Sequence, residues 1–360
     1  MNIIEKILID NIKRNPKGLS IDKFIEICLH NKNGYYKKKQ PIGKQGDFIT
    51  SPEISQLFGE IIGLYIYDIW SKYLNCKINL IELGPGKGTL INDVLRINSN
   101  FENFLQFIDL NLIEINDELI KLQRKNLQKF KTKVNNIQWK NNFSLISKKA
   151  SIIIANEFFD CLGVKQYIKI NNSWHERKIF FNKIDKKFYF KNIIVKNKTL
   201  INKLSEFKNH FNNEENQIVE ISDKRENFFK KICKFIHDNY GIAIIIDYGY
   251  INPLNHSTLQ SIRLNKKTAM LDTPGEQDIT SLVNFQNFTE IAAKYNLNIL
   301  GPISQNEFLT LNGIEIRKKK IMAKASSKQK IQIEKGFKRI VEKDEMGSVF
   351  KFLIVSKFNI

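Results

Sequence analysis

A chain of 360 residues has room for one large α/β core with an accessory lobe or for two modest domains, and 42% hydrophobic with 11% aromatic residues excludes wholesale disorder. No apolar run approaches the roughly 20 residues a membrane span needs, so no span is expected. The formal charge of +20, from 57 Lys+Arg against 37 Asp+Glu, is lysine spread beside Asn and Ile along nearly every segment; it is a bias of composition rather than a nucleic-acid footprint, and no nucleic-acid partner is expected from it.

The first 30 residues predict two short helices parted by Asn15-Pro16-Lys17-Gly18, with Ser20 capping the second. The helical spacing of Ile4, Ile7 and Leu8 among acids fits neither a secretory leader nor a transit peptide. After a polar loop, Ser51-Pro52-Glu53 predicts the start of one long helix, with serine as N-cap and proline in the first turn. Ile54, Leu57, Phe58, Ile61, Ile62, Tyr65 and Ile69 form its core stripe.

Residues 78–156 alternate strand and helix, the pattern of a doubly wound parallel sheet. Its most informative piece is Ile81-Glu82-Leu83-Gly84-Pro85-Gly86-Lys87-Gly88-Thr89-Leu90, a buried strand running through a glycine turn into a helix. Gly84, Pro85, Gly86 and Gly88 let backbone N–H groups approach a ligand. The third glycine of the dinucleotide fingerprint would fall on Thr89, which disfavours NAD or FAD and suits S-adenosylmethionine. The strand at 109–113 ends in Glu114, placed to accept from both ribose hydroxyls; the competing reading is an acid serving the helix from Asn116 onward.

A further strand at 151–155 runs into Asn156-Glu157-Phe158-Phe159-Asp160. Two readings of Glu157 and Asp160 stand side by side: a carboxylate pair gripping a cationic acceptor, or helix-capping chemistry at the turn. Residues 164–194 alternate as an antiparallel insertion, with turns at Asn171-Asn172 and Asp185-Lys186. The main-sheet pattern is expected to resume at 217–221 and continue at 242–246, ending in Asp247. Residues 252–278 read as a mobile lid, and 349–356 as a closing strand. Cys28, Cys76, Cys161 and Cys233, like the five histidines, lack metal-ligand spacing, so neither a metal nor a disulfide framework is indicated. No Asn/Asp-Pro-Pro-aromatic sequence, the mark of nucleobase-amine methylation, follows the strand at 151–155; no G-x-S-x-G or Walker loop occurs.

Taken together, Gly46-Asp47-Phe48-Ile49-Thr50-Ser51-Pro52-Glu53-Ile54-Ser55-Gln56, the 82–90 turn, 156–160, Trp174-His175-Glu176-Arg177, Ile246-Asp247-Tyr248-Gly249, Pro274-Gly275-Glu276 and Met346-Gly347 resemble the MidA-type class I methyltransferases, known in mitochondria as complex I assembly factors that dimethylate an arginine of a core NADH dehydrogenase subunit. Gly163 stands where that family's pattern has proline, and 255–267 is looser than its usual lid. The resemblance implies an α/β class I (Rossmann-like) mixed seven-stranded sheet, S-adenosylmethionine as donor and a protein arginine as acceptor. It also implies residues 1–75 as an N-terminal helical lobe and cofactor-covering loop, and 76–360 as the methyltransferase domain with an insertion at about 163–215 and a lid at about 252–278. Gly84, Pro85, Gly86, Gly88, Glu114, Thr50 and Ser51 are then the cofactor-binding candidates, and Asn156, Glu157 and Asp160 the catalytic ones. An RNA or small-molecule methyltransferase on the same fold and a catalytically idle assembly chaperone are the alternatives. Because the resemblance begins within the first few residues, a bacterial cytoplasmic protein is expected ahead of one of the mitochondrial matrix.

Overall fold

The computed structural model describes residues 1–38, 50–206 and 217–360. Gly43 and, of the expected covering segment Gly46 to Gln56, residues Gly46 to Ile49 lie outside the described residues, as do residues 207–215 of the insertion. Helix α1 (Ile3–Lys13) opens with a reciprocal cap, Asn2 accepting from the Glu5 N–H while the Glu5 carboxylate accepts from the Asn2 N–H. After β1 (Leu19–Ser20), α2 (Ile21–His30) begins without the expected serine cap, because the Ser20 hydroxyl donates to the Asp22 carboxylate instead. A short α3 (Tyr35–Lys38) follows.

The expected long helix is two, α4 (Ser51–Ile54) and α5 (Gln56–Ile69). Thr50, not Ser51, is the N-cap position. Ser55 breaks the run with extended backbone, φ −150°, and accepts from the Leu57 N–H to start α5 afresh.

Strand and helix then alternate: β2 (Ile78–Leu83), α6 (Thr89–Asn98), β3 (Ile108–Ile113), α7 (Asp117–Leu127), β4 (Asn136–Lys140) and β5 (Ser151–Asn156). The insertion supplies β6 (Lys165–Ile170), β7 (Ser173–Asn182), β8 (Lys187–Ile194) and α8 (Lys198–Glu206), and β9 (Ile218–Ile221) comes next. The rest runs α9 (Asp223–Asn239), β10 (Gly241–Tyr250), β11 (Gln260–Arg263), β12 (Lys266–Lys267), β13 (Asp278–Thr280), β14 (Val283–Asn284), α10 (Phe285–Lys294), β15 (Asn298–Ser304), α11 (Gln305–Leu311), α12 (Ile314–Met322), α13 (Ser327–Val341) and β16 (Phe350–Ser356).

The main sheet has the order β15-β16-β10-β5-β2-β3-β4, with β14 continuing alongside the end of β10. Strands β4, β3, β2, β5 and β10 are parallel; β16 runs antiparallel between β10 and β15, so the sheet is mixed as expected, its seven-strand path joined by β14 as an eighth strand. The central strands β5 and β10 are buried on both faces, which is why they read as continuous apolar runs. In β10, Ile242, Ile244 and Ile246 pack on one face with α5, α6 and α13, while Ala243 and Ile245 pack on the other with α9 and α10. Residues Leu57 to Ile69, which the sequence assigned to the N-terminal lobe, thus share a core with the main sheet.

One expectation is corrected. Residues 217–221 do not resume the main sheet: β9 pairs antiparallel with β6, in a sheet of order β1-β7-β6-β9 with β8 on β7. The 252–278 stretch, expected as a mobile lid, carries secondary structure of its own. It contains β11 and β12 and, with β13, forms a three-stranded sheet held by buried Gln277, which donates to the Ala269 and Met270 carbonyls and accepts from the Thr268 and Thr273 hydroxyls. Asn2 Nδ2 donates to the Pro274 carbonyl, fixing this sheet to α1. Gly163 also has a local reason: a Cβ there would lie 2.7 Å from Asp22 Cα, where α2 crosses the insertion.

Candidate active site

The parallel strands end on one rim, where ligands bind in open α/β sheets. A cavity of about 450 Å³ opens there, lined by Gly84, Pro85 and Gly86 after β2, Glu114 after β3, Asn141 to Phe143 after β4, and Asn156, Glu157, Phe158 and Asp160 after β5. Thr50, Pro52 and Glu53 close it from α4, and His30 and Tyr36 from the N-terminal helices. Of the predicted site residues, Thr50, Gly84, Pro85, Gly86, Glu114, Asn156, Glu157 and Asp160 are brought together. Gly88 and Ser51 stand one layer behind: Gly88, φ 75°, is the N-cap position of α6, and Ser51 is fully buried.

The glycine turn needs its glycines. Gly84, Gly86 and Gly88 all have positive φ, 62°, 55° and 75°. A Cβ on Gly84 would lie 3.2 Å from the Phe158 ring. Gln123, fully buried on α7, donates to the Gly86 carbonyl at 2.7 Å and to Glu114 Oε2 at 3.3 Å, so one amide holds the turn and the carboxylate in register. Glu114 Oε1 accepts from the N–H groups of Ile115 and Asn116 at 2.8 and 2.9 Å. Burial raises its pKa and these bonds oppose the rise.

At the tip of β5, Glu157 sits at φ 51°, a conformation that costs a non-glycine residue energy and that neighbours must enforce. Its N–H donates to the Ile246 carbonyl, and its Oε1 accepts from the Ser51 N–H and from Asn156 Nδ2, each at 3.3 Å. Burial, then the charge of Asp160, pushes its carboxyl up to about 8. Asp160 is pushed up to about 6 by burial, against the pull of Arg225. The turn between them hangs on Asp247, whose Oδ2 accepts from the N–H groups of Phe159 and Asp160 at 2.9 and 3.2 Å.

Sequence reasoning missed several of these groups. Asp247 stood out as the end of a strand, but it holds the turn; its partners lie almost ninety residues away, and only the fold pairs them. Arg225 is buried beneath the turn, donating to the carbonyls of Asp160, Leu162, Ser281 and Leu282. Tyr36, stacked on His30 with centroids 5.6 Å apart, donates its hydroxyl to Asp278 Oδ1 at 2.8 Å. Glu82 lines the cavity with its Oε2 buried and without a hydrogen-bond partner among the described residues; burial and the Glu114 charge push it up to about 8. Its position two residues before Gly84 was the available signal.

These features fit S-adenosylmethionine. Among the described residues Glu82 Oε2 and Asn156 Oδ1 are buried acceptors without donors, and the positive-φ glycine turn lines the cavity with them. Among the described residues no group of His, Cys, Asp and Glu could hold a metal ion, the four cysteines are free, and no helix is long and apolar enough to cross a membrane.

Fold and site together define a class I S-adenosylmethionine-dependent methyltransferase. The profile of a family of S-adenosyl-L-methionine-dependent methyltransferases matches residues 61–303, and the chain belongs to this family, of the MidA type. It is 32% identical over 357 residues to the protein arginine methyltransferase NDUFAF7, mitochondrial, of Xenopus laevis, covering 92% of this chain and 79% of that protein. The Homo sapiens protein of the same name is 28% identical over 91% of this chain and 77% of its own length. A crystal structure of a Burkholderia thailandensis protein bound to S-adenosyl-homocysteine shares the fold, with a TM-score of 0.87 at 21% identity over 98% of this chain and 91% of that one.

Proposed function

We propose that this methyltransferase acts on an arginine side chain of a protein and that Glu157 and Asp160 hold the guanidinium. The observation that carries the reading is their placement: two buried carboxylates at the tip of β5 line the same cavity as the glycine turn. Arg225 beneath them gives its donors to carbonyls and the Ser281 hydroxyl, not to these carboxylates. Such a pair matches the planar fork of a guanidinium and would repel phosphate. The name of the Xenopus laevis relative supports the same acceptor.

When bound, S-adenosylmethionine supplies an electrophilic methyl group on a sulfonium. Gly84, Pro85, Gly86 and Gly88 would admit its amino-acid end, Glu114 would take the ribose hydroxyls, and Thr50 and Ser51 would close over it. Asn156 and Ser51 orient Glu157 by donating to its Oε1. A bound guanidinium would favour the ionised form of Glu157, whose carboxyl burial otherwise pushes up to about 8, so that it can receive the proton given up by the nitrogen that gains the methyl group. By family resemblance the acceptor protein is an NADH dehydrogenase core subunit. The names of the relatives carry the word mitochondrial, and the compartment proposed with this acceptor is the mitochondrion.

The test is incubation of the protein with labelled donor and lysate, with and without nuclease, followed by mass spectrometry. Nuclease-resistant label on arginine is expected. Label on lysine, a nucleobase or a small molecule, or no transfer at all, would overturn the reading.

A further inference from the structure

The wall of the cavity at the start of α6 carries opposite charges side by side. Lys87 Nζ lies 3.7 Å from Glu53 Oε2, a loose ion pair whose side chains are 23% and 18% exposed, and both residues line the cavity. Glu53 comes from α4, outside the sheet. An acid in a first turn ordinarily serves its own helix, but this one is turned across to α6, where the Thr89 hydroxyl donates to its Oε1. Helix α6, ten residues long, begins at Gly88, which offers no side-chain cap, and its first residues Thr89 and Leu90 face the cavity. Its first N–H groups therefore receive no bond from an N-cap side chain. Close by, Glu82 is 3% exposed and its Oε2 has no partner among the described residues.

A zwitterion needs this combination: an anion site and a cation site a few ångströms apart. We propose that Glu53 binds the ammonium of the donor's amino-acid end, while Lys87 and the open start of α6 take its carboxylate. The assignment rests on the reading that the glycine turn receives that end of the donor. It makes α4 a clamp: the helix that orients Glu157 through the Ser51 N–H also touches the donor, so donor binding seats the acceptor carboxylate. A Glu53–Lys87 pair held at 3.7 Å is weak enough to be exchanged for ligand charges.

The test compares two ligands by calorimetry on the full chain: S-adenosyl-homocysteine, which has the amino-acid end, and 5′-methylthioadenosine, which lacks it. Glu53→Gln should lower affinity for the first by about tenfold or more and leave the second unchanged, the expected scale for a charge-assisted hydrogen bond. Thr89→Val, which removes the anchor of Glu53 but not its charge, should give a smaller loss confined to S-adenosyl-homocysteine and guards against misfolding of the first variant. Equal losses for both ligands, or no loss in either variant, would overturn the proposal while leaving the cavity as the donor site. Failure of the unaltered protein to bind S-adenosyl-homocysteine would overturn both.

Discussion

Ser51 donates its backbone N–H to Glu157 Oε1 at 3.3 Å, so the first residue of α4 steadies a carboxylate at the tip of β5, across 106 positions of sequence. Because the donor is backbone, substitution of the Ser51 side chain leaves this bond in place, and the informative change is at Glu157. Glu157→Gln should keep S-adenosyl-homocysteine affinity within about twofold yet lower turnover on the order of 100-fold, as when a contact specific to the transition state is removed. Calorimetry and single-turnover rates on the same preparation check both halves.

The buried acids set a pH dependence. Glu82 is raised from 4.5 to about 8 in the folded chain, so between those values the native state holds a proton that the unfolded state has released. Stability should therefore be greatest below about 4.5 as far as this group is concerned and fall as pH rises through 8, by roughly 1.4 kcal/mol per pH unit inside the window. Glu82→Gln should flatten the decline. Urea midpoints measured from pH 5 to 8 would show it, and an unchanged slope in the variant would contradict the assignment.

Cofactor affinity should separate the glycine turn from the carboxylate. Gly86, at φ 55° on the cavity wall, cannot take a β-branched side chain without strain, and Gly86→Val should abolish S-adenosyl-homocysteine binding. Glu114→Ala should weaken it by about 1.5 to 3 kcal/mol. The structure adds a second cost, since the Ile115 and Asn116 N–H groups and Gln123 lose their acceptor; Glu114→Gln, which keeps one, should therefore melt higher than Glu114→Ala.

What was legible in the sequence was whatever local chemistry imposes. Three glycines after an apolar strand can hardly avoid a positive-φ turn, and the acid at a strand tip follows from strand length alone, so Gly84 to Glu114 stood out. The break at Ser55 did not, because Ser51-Pro52-Glu53 is a sound helix start and the interruption comes from packing: Gly336 of α13 would put a Cβ only 3.0 Å from the Ile54 carbonyl. The pairing of β9 was hidden for a similar reason. Ile218, Val219 and Ile221 suit either sheet, and only the register with β6 decides. Glu53 was visible as a helix-start acid; that it crosses to Thr89 was not.

Arg225 is where this hidden layer can be tested most directly. Its guanidinium is 5% exposed at the residue level and makes five hydrogen bonds: Nε to the Leu162 carbonyl, Nη1 to that of Leu282, and Nη2 to those of Asp160 and Ser281 and to the Ser281 hydroxyl. It thus ties the β5-tip turn to the link between β13 and β14, and its charge also holds the Asp160 carboxyl down. Lysine keeps the charge but has no planar fork. Arg225→Lys should lose roughly 3 to 5 kcal/mol, because several buried carbonyls are left without donors, and Arg225→Met at least as much. The two should part in the pH profile: methionine moves the lower-pH limb of activity upward through Asp160, whereas lysine leaves it in place. Denaturant midpoints at unchanged slope measure the first effect and initial rates from pH 5 to 9 the second. A lysine variant as stable as the parent would show that the fork is dispensable.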